Sequence, residues 1–209
     1  MRFSINDAQD IREEAVRDIL EERGHTLVKS GEGAEVCLHF FRTEAPGYRA
    51  VKDGEDVCIE YHSLPEAFRA LGKALEHVRA GKWREENPGV RGHKGFMFDC
   101  SRNGVLRVEA VKKLIRQTAL MGLDWFLLYT EDTYEVEGYP YFGALRGRYT
   151  KEEIRACDAY AAQFGVEMIP CIQTLAHLRT ALRWPAMEAY RDDEDILLAE
   201  EERTYELIG

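Results

Sequence analysis

The side chains best suited to chemistry in this 209-residue chain collect in three short segments. They read Asp99-Cys100-Ser101-Arg102-Asn103, Thr130-Glu131-Asp132-Thr133-Tyr134 and Gln173-Thr174-Leu175-Ala176-His177. Each follows a short apolar run: Phe96-Met97-Phe98, Trp125 to Tyr129, and Met168 to Ile172. The turns entering those runs (His93-Lys94-Gly95, Gly122-Leu123-Asp124, Gly165-Val166-Glu167) are short and chemically plain. The second segment opens a long connection, Thr130 to Tyr149, that carries Tyr134, Tyr139, Tyr141 and Phe142. Long loops in compact domains are often functional. Aromatic faces suit the C–H faces of a sugar, and carboxylates with Arg suit its hydroxyls. Packing of the loop against the body of the fold is the other use for the same aromatics.

These segments need elements to position them. The apolar runs lack polar alternation, which predicts strands covered on both faces. Val108, Val111, Leu114, Ile115 and Met121 form a helical stripe that Gly122 ends. Thr150-Lys151-Glu152-Glu153 is a capping box opening a helix with Ile154, Cys157, Ala161 and Phe164 on one face, stopped by Gly165. Single helices between such strands predict βαβαβ and a parallel sheet. In these folds the polar residues at the carboxyl ends of strands bind and react, while the amino ends stabilise. A further helix is expected from Glu200 to Ile208.

The first part of the chain has a different grammar. A charged helix is expected from Asp7 to Glu22, with apolar points at Ile11, Ala15, Ile19 and Leu20. Glu35 to Phe41 reads as a strand. Tyr48 to Val51 and Val57 to Tyr61 flank Asp53-Gly54, a hairpin signal. Ser63-Leu64-Pro65-Glu66 is a second capping box, followed by a helix through Val78. Residues 82–95 carry Pro88, Gly89, Gly92 and Gly95 among charges and read as a linker. The expected fold class is therefore α/β. A small α/β domain over 1–81 precedes, at 96–209, the first βα units of a (β/α)8 TIM barrel that does not close. Such a chain is expected to be a fragment.

Composition narrows the function classes. With 45% hydrophobic and 11% aromatic residues the chain can bury a core. Its formal net charge of −10, without a basic run, excludes nucleic acid as a natural partner. No stretch approaches the roughly 18 apolar residues of a spanning helix, and no apolar leader follows Met1. The five cysteines show no C-x-x-C spacing and read as buried thiols. A cytoplasmic protein without disulfides or structural zinc is expected.

The strand ends resemble those of glycoside hydrolase family 20, the β-N-acetylhexosaminidases. Phe96-Met97-Phe98-Asp99-Cys100-Ser101-Arg102 matches a first barrel strand ending in Asp-x-Ser/Ala-Arg. Thr130-Glu131-Asp132 matches the Thr-Asp/Glu-Asp after the second strand, and Pro170-Cys171-Ile172-Gln173-Thr174-Leu175-Ala176-His177 the Pro-x-Ile-x-x-x-Gly-His type segment after the third. Ala176 stands where Gly is usual. The first 80 or so residues also look like the small domain that precedes the barrel in this family, and the wording is closest to its bacterial intracellular branch.

The resemblance implies removal of terminal N-acetylglucosamine from glycans. In that mechanism the substrate's own 2-acetamido oxygen attacks the anomeric carbon, giving an oxazolinium intermediate. Arg102 would hydrogen-bond hydroxyls of the terminal sugar; an ion pair with Asp99 or Glu131 is its other reading. Asp132, or Glu131 beside it, would join the polar network under the catalytic centre, against a solvated loop carboxylate. His177 would orient a catalytic carboxylate from behind, against a structural histidine. The Asp that orients the acetamido group and the adjacent general-acid Glu follow the fourth strand in this family, so they are expected beyond Gly209 and the chain is expected to be inactive alone. Neither a metal nor a cofactor is required. Two other readings compete: a stand-alone sugar-binding or assembly module that self-associates through open sheet edges, and a metal-dependent barrel enzyme using Glu131, Asp132 and His177.

Overall fold

The computed structural model describes residues 1–102 and 104–208; Asn103 and Gly209 lie outside the described residues. The chain forms two compact units that do not follow chain order. The first comprises Met1–Gly95, Lys113–Trp125 and Tyr160–Glu167, and the second Phe96–Lys112, Phe126–Ala159 and Met168–Gly209.

The first unit is built on a six-stranded mixed sheet. Its strands are β1 (Arg2–Asp7), β2 (Thr26–Leu27), β3 (Val36–Arg42), β4 (Tyr48–Asp53), β5 (Asp56–Tyr61) and β6 (Lys82–Asn87), in the order β2-β1-β3-β5-β4-β6. β1, β2, β3 and β5 pair in parallel, whereas β4 runs antiparallel to both β5 and β6. Alternation places Val36, Leu38, Phe40, Val57, Ile59 and Tyr61 in the core. Val16, Ile19 and Leu20 of α1 (Glu13–Glu22) and Phe68 and Leu71 of α2 (Leu64–Glu76) are buried as well.

Local chemistry explains these elements. The β4–β5 turn is the two-residue loop Gly54-Glu55, with φ +62° at Gly54, as the Asp-Gly signal requires. The capping box at Ser63 forms: Glu66 Oε2 accepts from the Ser63 amide at 2.9 Å, while its Oε1 accepts from the Gly47 amide at 2.9 Å. One carboxylate thus ties the start of α2 to the loop before β4.

Three expectations need correction here. Residues Arg2–Asp7 are a strand, and the helix begins only at Glu13, because Arg12 is extended (φ −79°, ψ 121°). The helix after Ser63 ends at Glu76, short of Val78. Lys82–Asn87, expected as the start of a linker, is the edge strand β6. Its alternating charges hid it, yet they pair across the ladder: Lys82 with Asp53 at 3.1 Å and Glu86 with Arg49 at 3.3 Å. Charge is the usual protection of an exposed edge.

The remaining strands are β7 (Gly95–Asp99), β8 (Trp125–Thr130) and β9 (Glu167–Ile172), adjacent in that order. They alternate with α3 (Val108–Leu120) and α4 (Lys151–Ala162). β7 and β8 are parallel: the Lys94 carbonyl accepts from Trp125 N, and Cys100 N donates to the Tyr129 carbonyl. Glu167 N donates to the Asp124 carbonyl, which aligns the amino ends of β8 and β9. Thr150 and Glu153 close the second capping box, at 2.9 and 3.1 Å. Gly165, at φ +69°, ends the following turn where a Cβ would meet Leu64 and Pro65 at 2.7 and 2.9 Å.

Beyond β9 the chain continues through α5 (Arg179–Leu182), a 3₁₀ helix (Pro185–Tyr190) and α6 (Glu202–Ile208). Leu178, Ala181, Leu182, Met187, Leu197 and Leu207 bury a small core that also takes Phe142 from the long loop. All five cysteines are unbridged. Among the described residues no helix is long and apolar enough to cross a membrane.

Candidate functional site

The carboxyl end of β7 turns under the control of one carboxylate. Asp99 Oδ1 accepts from the Ser101 amide at 2.8 Å and from its hydroxyl at 2.6 Å, the hydrogen bonding of an Asx turn. The other oxygen, Oδ2, accepts from Arg102 Nη1 at 2.6 Å. Burial works to raise the Asp99 pKa, but these hydrogen bonds and the Arg102 charge outweigh it and hold it at about 2. The Asp99 contact also pushes the Arg102 pKa upward, so the guanidinium stays charged.

Arg102 reaches β8 as well. Its Nη2 lies 3.6 Å from Glu131 Oε1, and its guanidinium sits 5.5 Å from the centre of the Tyr129 ring. The Tyr129 hydroxyl donates to Glu131 Oε1 at 3.2 Å and accepts from Gln173 Nε2, after β9, at 2.7 Å. One network therefore runs over the ends of all strands of the three-stranded sheet. The Arg102 side chain remains 58% exposed while that of Glu131 is 14% exposed. A guanidinium between two carboxylates leaves surplus negative charge, which disfavours an anionic ligand. It offers both donors and acceptors to a neutral, hydroxylated one.

Asp132 belongs to a different network. It is only 1% exposed and pairs through Oδ1 with Arg146 Nη1 at 2.8 Å, while its Oδ2 has no hydrogen-bond partner among the described residues. Burial pushes its pKa up despite the Arg146 charge. The alternative of a solvated loop carboxylate is thereby corrected: the loop folds back over Asp132. Gly143, at φ +68°, lies against the Asp132 carbonyl where a Cβ would collide. Arg148 donates to the Phe142 carbonyl at 2.5 Å, and the Tyr149 hydroxyl to the Leu106 carbonyl at 2.7 Å.

The loop aromatics divide by role. Phe142 is buried against Tyr134, and Tyr139 packs edge-on against Tyr190, so these three hold the loop down. Tyr141 stays 47% exposed beside Trp184. His177 sits at φ +61° with its side chain 61% exposed, and the carboxylate within ion-pairing range is Asp195, at 3.9 Å. Arg102, Asp132 and His177 thus lie past the ends of successive strands but join separate networks, and only Asp99, Arg102 and Glu131 come together. Glu131, Asp132 and His177 do not assemble as a metal-binding group among the described residues. Asp193-Glu194 is an Asp-Glu pair by sequence, but Glu194 is exposed and bonded to Arg179.

Sequence reasoning missed Tyr129 and Arg146, and named Gln173 in the third polar segment without giving it a role. Tyr129 is hidden as the last aromatic of an apolar run, and Arg146 as one charge among several in a loop. The second unit also has a cavity of about 1200 Å³ lined by Tyr134, Tyr139, Met168 and Ile172 among others. Neither Arg102 nor Glu131 lines it.

The model of the glycosyl hydrolase family 20 catalytic domain matches residues 92–206. A β-hexosaminidase of Vibrio furnissii is 32% identical in an alignment 128 residues long that covers 49% of this chain and 20% of that protein. The exo-β-N-acetylglucosaminidase of Vibrio harveyi, solved with N-acetylglucosamine, superposes over 98% of this chain and 39% of its own with a TM-score of 0.72 at 22% identity. A mutant Streptomyces plicatus β-hexosaminidase bound to its product covers 98% of this chain and 50% of its own, with a TM-score of 0.72 at 18% identity. At such identities the likeness shows the fold: the small α/β domain and the opening βα units of a TIM barrel. The chain spans a fifth of the curated relative and half or less of these solved chains. With more than half of its residues inside the catalytic-domain match, the chain belongs to glycosyl hydrolase family 20.

Proposed function

We propose that this chain is the sugar-gripping N-terminal part of a retaining exo-β-N-acetylglucosaminidase working by substrate-assisted catalysis. The observation that carries the reading is the Asp99–Arg102–Glu131 cluster: a charged fork, 58% exposed, fixed at a strand end with an acceptor at its side. Such a fork can donate to two adjacent hydroxyls of a terminal sugar while Glu131 accepts from one of them. The two relatives solved with N-acetylglucosamine or the product of hydrolysis support that ligand class.

In this reading the acetamido-orienting Asp and the general-acid Glu come from the part of the enzyme that follows the third βα unit. General acid catalysis typically supplies about 100- to 10,000-fold. The 209 residues alone are therefore expected to bind the sugar without turning it over. The experiment titrates N-acetylglucosamine into the chain and assays a chromogenic β-N-acetylglucosaminide beside a form extended by the downstream reading frame. Binding that Arg102→Ala abolishes, with turnover confined to the extended form, is the expected result. Equal turnover by both forms would mean that the catalytic groups lie among Asp99, Glu131 and Asp132.

A further inference from the structure

Tyr129 carries no role in the family resemblance, yet it touches Arg102, Glu131 and Gln173. Its ring underlies the Arg102 guanidinium at 5.5 Å. Its hydroxyl stands between Gln173 Nε2, at 2.7 Å, and Glu131 Oε1, at 3.2 Å. The direction of these bonds is fixed by chemistry. A carboxylate only accepts and an amide nitrogen only donates, so the hydroxyl proton points at Glu131. Glu131 Oε1 is also the atom facing Arg102 Nη2. Without the tyrosine, Arg102 would keep the Asp99 and Ser101 contacts of its own short turn, at 2.6 and 3.3 Å, and one pair with a carboxylate that had lost its tie to β8.

We propose that Tyr129 is a positioning residue for sugar recognition: it locks Arg102 and Glu131 in the arrangement that receives a pair of hydroxyls. The proposal rests on the sugar-binding reading of Arg102. An arginine side chain carries about 2 kcal/mol of rotamer entropy, a figure that corresponds to roughly thirty-fold in affinity when the side chain must be ordered on binding. A ring beneath it and a tethered carboxylate beside it supply part of that order before the ligand arrives.

The test uses the 209-residue chain, isotope-labelled, with Tyr129→Phe and Tyr129→Leu. Phe keeps the ring and removes the hydroxyl ties; Leu removes both. Two quantities are read: the order of the Arg102 Nε–H group by NMR relaxation without ligand, and the Kd for N-acetylglucosamine. Arg102 order is expected to fall from wild type to Phe to Leu. Affinity should weaken about ten-fold in Tyr129→Phe, the lower end for a hydrogen bond to a charged group, and about a further three-fold in Tyr129→Leu. Unchanged Arg102 order in both variants would overturn the proposal whatever the affinities. Order falling as expected in a wild-type chain that binds no N-acetylglucosamine would sustain the positioning and sink the sugar reading instead. Tyr129→Phe is nearly isosteric, so its fold is retained even if Tyr129→Leu fails to fold.

Discussion

Asp132, 1% exposed, and the part-buried Arg146 form an ion pair, 2.8 Å apart, in which one carboxylate oxygen is bonded and the other has no partner among the described residues. The pair joins the end of β8 to the far side of the loop it leads into. The burial of Asp132 gives the pair consequences that the exposed Arg102 pairs lack.

Arg146→Met should destabilise the protein by about 3–5 kcal/mol, because it leaves a buried carboxylate uncompensated. The sign of the pH dependence follows from the raised Asp132 pKa. A raised carboxylate contributes stability below its unfolded value and loses it as pH rises through the folded value. The deficit of Arg146→Met should therefore be largest near neutrality and shrink toward pH 4, and Asp132→Asn should relieve it. Urea unfolding across that range decides the matter; a deficit independent of pH would mean the pair is not what the arginine supports.

His39 has a carboxylate at each ring nitrogen, Asp7 at 2.8 Å and Asp56 at 3.1 Å, which only the doubly protonated ring can satisfy. Burial works to lower its pKa, but the two carboxylates outweigh it and raise the value above 6.5. The resulting stability is present below that unfolded value and is lost as pH rises through the folded one. His25 is shifted downward, chiefly by burial, and contributes in the opposite sense. His39→Asn is thus needed to isolate the effect. Wild type should lose more stability than this variant between pH 6 and 8; a His39 resonance titrating at or below 6.5 would refute the arrangement.

Two glycines separate backbone strain from collision. Gly54, at φ +62°, has open space where a Cβ would go, and Gly54→Ala should cost about 1–2 kcal/mol of left-handed strain. Gly143, at φ +68°, has the Asp132 carbonyl there. Gly143→Ala should cost clearly more, with the excess visible as a lower Tm. Equal costs would show that the loop yields freely around Asp132.

Tyr48 donates from its hydroxyl to Glu85 of β6 at 2.7 Å and is 6% exposed. Tyr48→Phe should lower stability by about 1–1.5 kcal/mol and speed amide exchange in β6. Unaltered exchange there would mean that the backbone ladder alone holds the edge.

The order of β7, β8 and β9 was legible because runs such as Trp125 to Tyr129 lack polar alternation and are bounded by glycine stops and capping boxes. β6 was not, since an edge strand facing water carries the composition of a loop. Arg102 and its carboxylates were recognisable from their spacing after the strands. Tyr129 was not, because a tyrosine ending an apolar strand gives no sign of where its hydroxyl points. Nothing in residues 178–201 marks them as a second small core, which depends on Phe142 arriving from a distant loop.

That shared core bears on how this surface can change over evolutionary time. Phe142 sits among Leu178, Leu182, Met187, Leu197 and Leu207, and Tyr139 packs edge-on against Tyr190. Insertions or deletions between 130 and 150 would have to be matched by compensating changes past β9, so the length of this loop is inherited rather than free. Within it, Tyr141 and Leu145 point outward, 47% and 89% exposed. A lineage can rewrite those two at small cost in stability, and drift or adaptation should register there first while the framework beneath them stays fixed.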